Sequence, residues 1–90
     1  MNSYLVGQTV VLSTTVRNVL NQLVNPTTVT CTVKRPDGTT TNVILDNPTV
    51  GNYEGNLTVT QNGMHYYRFE ADEPDGAIEG RFRGVGSLVV

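Results

Sequence analysis

The sequence predicts an all-β domain, an antiparallel sandwich of about seven short strands. Three observations support this fold class. Apolar and polar residues alternate with period two in several segments, which is typical of strands with one buried face. Turn residues (Gly, Pro, Asn and Asp) separate these segments at fairly regular intervals. The composition is rich in Thr, Val, Asn and Gly, which favours strands and turns over helices.

The first third of the chain predicts one short and one long strand. Tyr4–Val6 predicts a short edge strand that ends at Gly7, and Thr9–Arg17 predicts the first long strand. Alternation places these side chains of the long strand on its inward face: Val10, Leu12, Thr14 and Val16. Asn18–Pro26 contains breakers and no alternation, so we expect a connection without a helix.

A well-patterned strand is predicted over Thr27–Lys34. Its inward residues are Val29, Cys31 and Val33. Arg35–Gly38 predicts a turn, because its proline fixes φ at a central position and its glycine tolerates the reversal. Thr40–Leu45 predicts a strand of weaker pattern, and Asp46–Pro48 with Gly51 predicts a second turn region.

The stretch Gly51–Ala71 predicts two strands joined as a hairpin at the centre of the core. The inward residues of the first strand are Tyr53, Gly55, Leu57 and Val59. Asn62–Gly63 then supplies the dipeptide that best holds the positive φ angles of a tight hairpin turn. The inward residues of the second strand are His65, Tyr67, Phe69 and Ala71.

The remaining chain predicts one more core strand. An acidic loop, Asp72–Gly76, precedes the strand Ala77–Arg83, in which Phe82 is the expected anchor. Gly84–Ser87 is expected to interrupt that strand. The predicted core is Leu12, Val29, Cys31, Val33, Leu57, Val59, Tyr67, Phe69 and Phe82. The sandwich would be of the immunoglobulin-like kind, which needs no disulfide; a small barrel is the alternative.

Length and charge narrow the function classes. The chain of 90 residues predicts one domain, residues 1–90. A net charge of -2 gives no basic footprint, so nucleic acid is not an expected partner. No run approaches the roughly 20 apolar residues that span a bilayer. The start of the chain lacks signal-peptide features, and the single cysteine excludes an internal disulfide. We therefore expect folding in a reducing cytosol, or excision from a larger protein.

No constellation of residues predicts catalysis or a cofactor. The chain has one histidine, His65, and one cysteine, Cys31, which are too few for a zinc site. Both residues fall on the inward faces of predicted strands. The acidic loop residues Asp72, Glu73 and Asp75 lack regular calcium-loop spacing, so we expect a solvated turn. The sequence thus predicts a protein that is not an enzyme, with no metal and no cofactor.

A small basic surface is the best candidate for partner binding. Arg81 and Arg83 flank Phe82, and with Arg68 and Tyr66 they fall on the outward faces of neighbouring predicted strands. Arginine and tyrosine are well suited to anchor a protein partner. The alternative is an ordinary exposed sheet face.

The order of several segments resembles a family of small phage proteins. The segments are Tyr4–Leu12, Val24–Thr30, Val33–Thr39, Gly51–Tyr53 and Gly63–Ala71, so the resemblance covers nearly the whole chain. The family is that of immunoglobulin-like structural proteins encoded among the head and head–tail genes of tailed bacteriophages. The sequence departs from it at His65, where a large aromatic is expected, and at Gly84, where an apolar residue usually closes the last strand.

The resemblance implies a virion structural protein assembled in the cytoplasm of the bacterial host. Its role would be head decoration, an accessory function or part of the head–tail connection, with capsid or connector subunits as partners. An adhesion or carbohydrate-binding module of a bacterial surface protein is the alternative. That alternative predicts an exposed aromatic platform, for which the candidates are Tyr4, Tyr53 and Tyr66.

The segment 84–90 is a second candidate for partner binding. Leu88, Val89 and Val90 are apolar and β-prone, and they follow two glycines that weaken the strand. They could bury against a neighbouring subunit in a homo-oligomer or extend the final strand of their own domain.

Because the sequence offers no ligand set, we expect folding to be independent of metal and of redox state. Thermal melts with and without a chelator, and with and without a reductant, should share one midpoint. A lower midpoint with the chelator would contradict this and would point first to the acidic loop.

Overall fold

Eight β-strands form two sheets that pack face to face in the computed structural model, which describes residues 2–86. The strands are β1 (Asn2–Leu5), β2 (Thr9–Thr15), β3 (Thr28–Lys34), β4 (Thr40–Asn42), β5 (Asp46–Thr49), β6 (Asn52–Thr58), β7 (Gly63–Asp72) and β8 (Gly76–Val85). Among the described residues, none forms a helix that could cross a membrane.

The larger sheet has the order β1-β8-β7-β3-β4 and the smaller one the order β2-β6-β5. All pairs are antiparallel except β1 and β8, which run parallel. The all-β prediction and the two-sheet architecture are confirmed. The connection Asn18–Pro26 is confirmed as one without a helix. An isolated bridge joins its Leu23 to Arg17, which directly precedes it.

The core lies between the sheets and comes from alternate residues of the central strands. The buried apolar residues are Val10, Leu12, Cys31, Val33, Val43, Val59, Phe69 and Phe82. Of the predicted core, Leu57 and Tyr67 are half-buried and pack against this cluster, and Val29 is half-buried. Val43 joins the core although it lies just past the end of β4.

Aromatic rings tie β1, β7 and β8 together. The ring of Phe82 stacks on His65 at 4.8 Å between centroids and meets Tyr4 edge-on at 5.7 Å. Tyr67 lies 6.5 Å from Phe82 and packs edge-on against Phe69. Such arrangements stabilise a core by roughly 0.5–1.5 kcal/mol per pair beyond the area they bury.

The predicted central hairpin is wrong. The strands β6 and β7 belong to different sheets, and residues 59–62 cross from one sheet to the other. Four residues reach at most about 13–14 Å, which is enough to cross the roughly 10 Å between stacked sheets even with the bend at Gln61 and Asn62. Gly63 does adopt a positive φ of 116°, but it redirects the chain at this crossing. The alternation in both strands is real; their apolar faces cover each other across the core.

Three further boundaries differ from the sequence-based expectation. The region Asp46–Pro48 is part of the edge strand β5 and not a turn, because an edge strand tolerates proline where no ladder hydrogen bond is needed. The strand predicted over Thr40–Leu45 is confined to Thr40–Asn42. The first long strand ends at Thr15.

The last strand is not interrupted at Gly84. Strand β8 continues to Val85, and Gly84 pairs with both Tyr4 and Gly63. Gly84 is buried, and a Cβ atom there would overlap the carbonyl oxygen of Gln61. The glycine is therefore required by close packing, and Gly84 and Val85 belong to the domain.

The turn after β3 is fixed by side chains as well as by the predicted proline and glycine. The Asp37 carboxylate accepts hydrogen bonds from the amide and hydroxyl of Thr39, at 2.9 and 2.6 Å. Gln61 donates its side-chain amide to Asp37 at 2.9 Å and so links this turn to the crossing between the sheets. These bonds, those from Thr39 first, lower the pKa of Asp37 from 3.8 to about 2.

Replacement of Phe69 by alanine should destabilise the domain by roughly 3–5 kcal/mol, because a buried aromatic ring is lost and a cavity is left. Val11→Thr is a matched control on an exposed position of a strand and should change stability by no more than about 0.5 kcal/mol. Urea unfolding measures both. Equal midpoints for Phe69→Ala and the wild type would show that the core assignment is wrong.

The Asp37 turn should give a pH-dependent contribution to stability. The pKa of the folded state lies below the ordinary value, so the contribution is full above pH 4 and is lost as pH falls through about 2. Asp37→Asn removes the charge and keeps an oxygen acceptor. The difference in unfolding free energy between wild type and variant should therefore shrink from pH 4 to pH 2. A constant difference over this range would contradict the assignment.

Candidate protein-binding surface

The outward face of the larger sheet collects the residues that the sequence analysis selected. Tyr66 and Arg68 alternate outward on β7, between the inward residues His65, Tyr67 and Phe69. Arg81 and Arg83 alternate outward on β8 on either side of buried Phe82. The pairing of β7 with β8 places Tyr66 directly beside Arg81.

The neighbouring strands add two residues that sequence reasoning missed. Lys34 of β3 lies beside Tyr66 on the side opposite Arg81, so Arg81, Tyr66 and Lys34 form one row across three strands. Met64 lies beside Arg83 in the next row. Residues paired in this way have Cβ atoms about 4.5–5.5 Å apart. We call the surface formed by Lys34, Met64, Tyr66, Arg81 and Arg83 the basic face.

Arg68 differs from Arg81 and Arg83 because its positive charge is paired with carboxylates. Its guanidinium forms ion pairs with Glu70 at 2.6 Å and with Glu79 at 3.4 Å. Both carboxylates raise the pKa of Arg68, mainly through their hydrogen bonds. Within residues 2–86, no ion pair involves Lys34, Arg81 or Arg83. The uncompensated positive charge therefore lies at the Arg81–Arg83 end of the sheet, and Arg68 lies where the face becomes acidic.

The basic face is exposed, and its surface is not flat. Half of the Tyr66 side chain is open to solvent (51%). Beside it, an open concavity lies between the sheet and the turn after β3. Residues 34–38, Met64 and Tyr66 line it, and the Asp37 carboxylate is the one anionic group among them. The surface thus offers cations, a phenol, and a thioether around a shallow depression, which suits the binding of another protein.

The other residues considered for chemistry have structural roles. His65 is buried, with Nδ1 3.1 Å from the carbonyl oxygen of Gly63. Burial raises the pKa of the Cys31 thiol. In the acidic loop, Glu73 and Asp72 accept hydrogen bonds from the hydroxyls of Thr27 and Thr28. Residues 2–86 contain no cluster of three His, Cys, Asp or Glu side chains that could hold a metal ion.

The three tyrosines of the predicted carbohydrate platform do not share a surface. Tyr4 packs against Phe82 between the sheets. Tyr53 is half-buried on β6 with its hydroxyl 3.4 Å from Asn25. Only Tyr66 lies on the outer face of the larger sheet. Of the other predicted contact residues, Leu88, Val89 and Val90 lie outside the described residues.

Comparison with protein-family models and with curated proteins gives no match. Among solved structures, the chain is similar to the filamin domain of Lin-41. The TM-score is 0.78 at 15% sequence identity, and the alignment covers 93% of this chain and 83% of that one. Similarity at this level of identity establishes the fold and nothing about the role. The chain therefore has an immunoglobulin-like β-sandwich fold, as its sequence predicts.

Proposed function

We propose that the chain is a non-enzymatic structural protein that acts through protein–protein contacts made by its basic face. The observation that carries the proposal is the row Arg81–Tyr66–Lys34, flanked by Arg83 and Met64, on three adjacent strands. These residue types are suited to anchoring a partner, and two of the three cations are arginines that can bind carboxylates through paired hydrogen bonds.

The partner that fits the basic face is a protein with an acidic surface. The whole chain has a net charge of -2, whereas Lys34, Arg81 and Arg83 place three positive charges together. Such an asymmetric distribution orients a small protein as it approaches an acidic partner and accelerates association. Because the positions belong to paired strands of one sheet, their backbone positions are fixed relative to one another, and no backbone entropy has to be lost there on binding.

The more specific part of the proposal is a place in a phage particle. The resemblance of the segments Tyr4–Leu12, Val33–Thr39 and Gly63–Ala71 to small phage structural proteins supports it. Partners of this kind would be capsid or connector subunits, and the role would be head decoration, an accessory function or part of the head–tail connection. The separate positions of the three tyrosines do not support the carbohydrate-binding alternative.

The place in a particle is tested by finding the chain in purified virions. In the phage or prophage that encodes it, mass spectrometry of gradient-purified particles should detect the protein at a constant ratio to the major capsid subunit. Its presence only in the soluble fraction of the lysate would contradict the virion role.

The basic face is tested by reversal of its charges. The double variant Arg81→Glu/Arg83→Glu should bind particles that lack the protein at least tenfold more weakly than the wild type. Binding of the wild type should also weaken as salt increases, since exposed charges are screened. The control Asn56→Glu/Thr58→Glu places two carboxylates on the exposed face of β6, in the other sheet. Equal loss of binding in both variants would contradict a role for the basic face.

A further inference from the structure

An inward-facing side chain is uncovered at one end of the sandwich. Ile78 of β8 pairs with Phe69 of β7, so both side chains point toward the smaller sheet. Phe69 is 3% exposed, but Ile78 is 54% exposed. Ile78 therefore faces the core, but no strand of the smaller sheet covers it.

The cause is that the smaller sheet lacks a strand beside β2. Within residues 2–86, β2 pairs only with β6, so its other edge has unpaired backbone groups. Likewise, β1 covers only the part of β8 from Phe82 to Val85, and the part from Gly76 to Arg81 has a free edge. Two open strand edges thus border the same gap.

The gap is closed at one end and open at the other. Where β1 turns into β2, Gly7 donates a backbone hydrogen bond to Val59, and Tyr4 covers Phe82. At the other end, a cavity of about 180 Å³ remains between residues 14–17 and the start of β8. Its apolar lining is Val16, Val29, Phe69, Ala71, Pro74, Ala77 and Ile78. We call this cavity, together with the free edge of β2, the slot.

The shape of the slot fits an extended peptide. Ligand pockets usually measure about 300–1,000 Å³, so this cavity is too small for most small-molecule ligands and suits one or two aliphatic side chains. Unpaired backbone groups along β2 would be satisfied by an added strand, and alternate side chains of that strand would enter the cavity.

The chain itself contains a segment of the required character. Residues 87–90 read Ser-Leu-Val-Val, and period-two alternation would place Leu88 and Val90 on one side of a strand. A chain cannot insert this segment into the cavity beside its own Ile78. From Ile78 to Gly86 the strand rises by about 27 Å, whereas four further residues reach only about 14 Å.

We propose that the segment Leu88–Val90 of one copy adds as a strand beside β2 of a second copy, with Leu88 and Val90 in the slot next to Ile78. This contact is heterologous, because the donating segment and the accepting slot are different surfaces, and it joins copies head to tail. It uses neither the basic face nor any residue of it, so it stands independently of the function proposed above.

A complementation experiment tests the contact. The acceptor variant Ile78→Lys blocks the slot at an exposed position, and the donor variant lacks residues 88–90. Sedimentation of the wild type should show association that grows with concentration. The association constant of each variant alone should be at least tenfold lower. An equimolar mixture of the two variants should form dimers and nothing larger, since each pair then has one working donor and one working acceptor.

Three results would overturn the proposal. The first is a wild type that stays monomeric at millimolar concentration. The second is association of either variant as strong as that of the wild type. The third is a lower melting temperature of the donor variant as a monomer, which would show that the segment packs within its own domain. Arg81→Glu/Arg83→Glu should associate as the wild type does, and this separates a failure of the slot from a failure of the basic face.

Discussion

The contact between Phe82 and the rings around it is the interaction on which the larger sheet depends. Tyr4 brings β1 to this ring, and His65 and Tyr67 bring β7. His65 and Gly84 lie close together here. A Cβ atom on Gly84 would lie 3.1 Å from the His65 ring and would overlap the backbone at Gln61. Because Gly84 has no side chain, the His65 ring and the backbone at Gln61 can both pack against it. Gln61 belongs to the segment that crosses between the sheets.

The sequence predicts well which side of a strand faces inward, because alternation is a local property. Val29, Cys31 and Val33 face the core as expected, and Tyr66 and Arg81 face outward. Alternation does not determine which strands are neighbours. Asn62–Gly63 resembles a hairpin turn, yet the two flanking strands lie in different sheets. Both arrangements bury the same faces, and long-range packing decides between them.

For the basic face too, the sequence predicts which side chains face outward but not which of them are neighbours on different strands. Outward alternation is enough to group Tyr66, Arg68, Arg81 and Arg83. The ion pair of Arg68 with Glu70 was not predicted, although both residues face outward on one strand two residues apart. Lys34 and Met64 are neighbours only through strand register, which no local pattern contains. The slot depends on the position of β1 beside β8, and therefore on topology.

The parallel pairing of β1 with β8 has a mechanical consequence. Tension that enters through the residues before Asn2 and leaves through those after Val85 would pull these two strands in opposite directions along their length. Their interstrand hydrogen bonds would then bear the load together, in shear, and would have to break collectively before either strand could peel away. A domain joined in this way resists stretching better than one whose terminal strands separate one bond at a time. The topology therefore gives the domain mechanical resistance to tension applied at the two ends of the described chain.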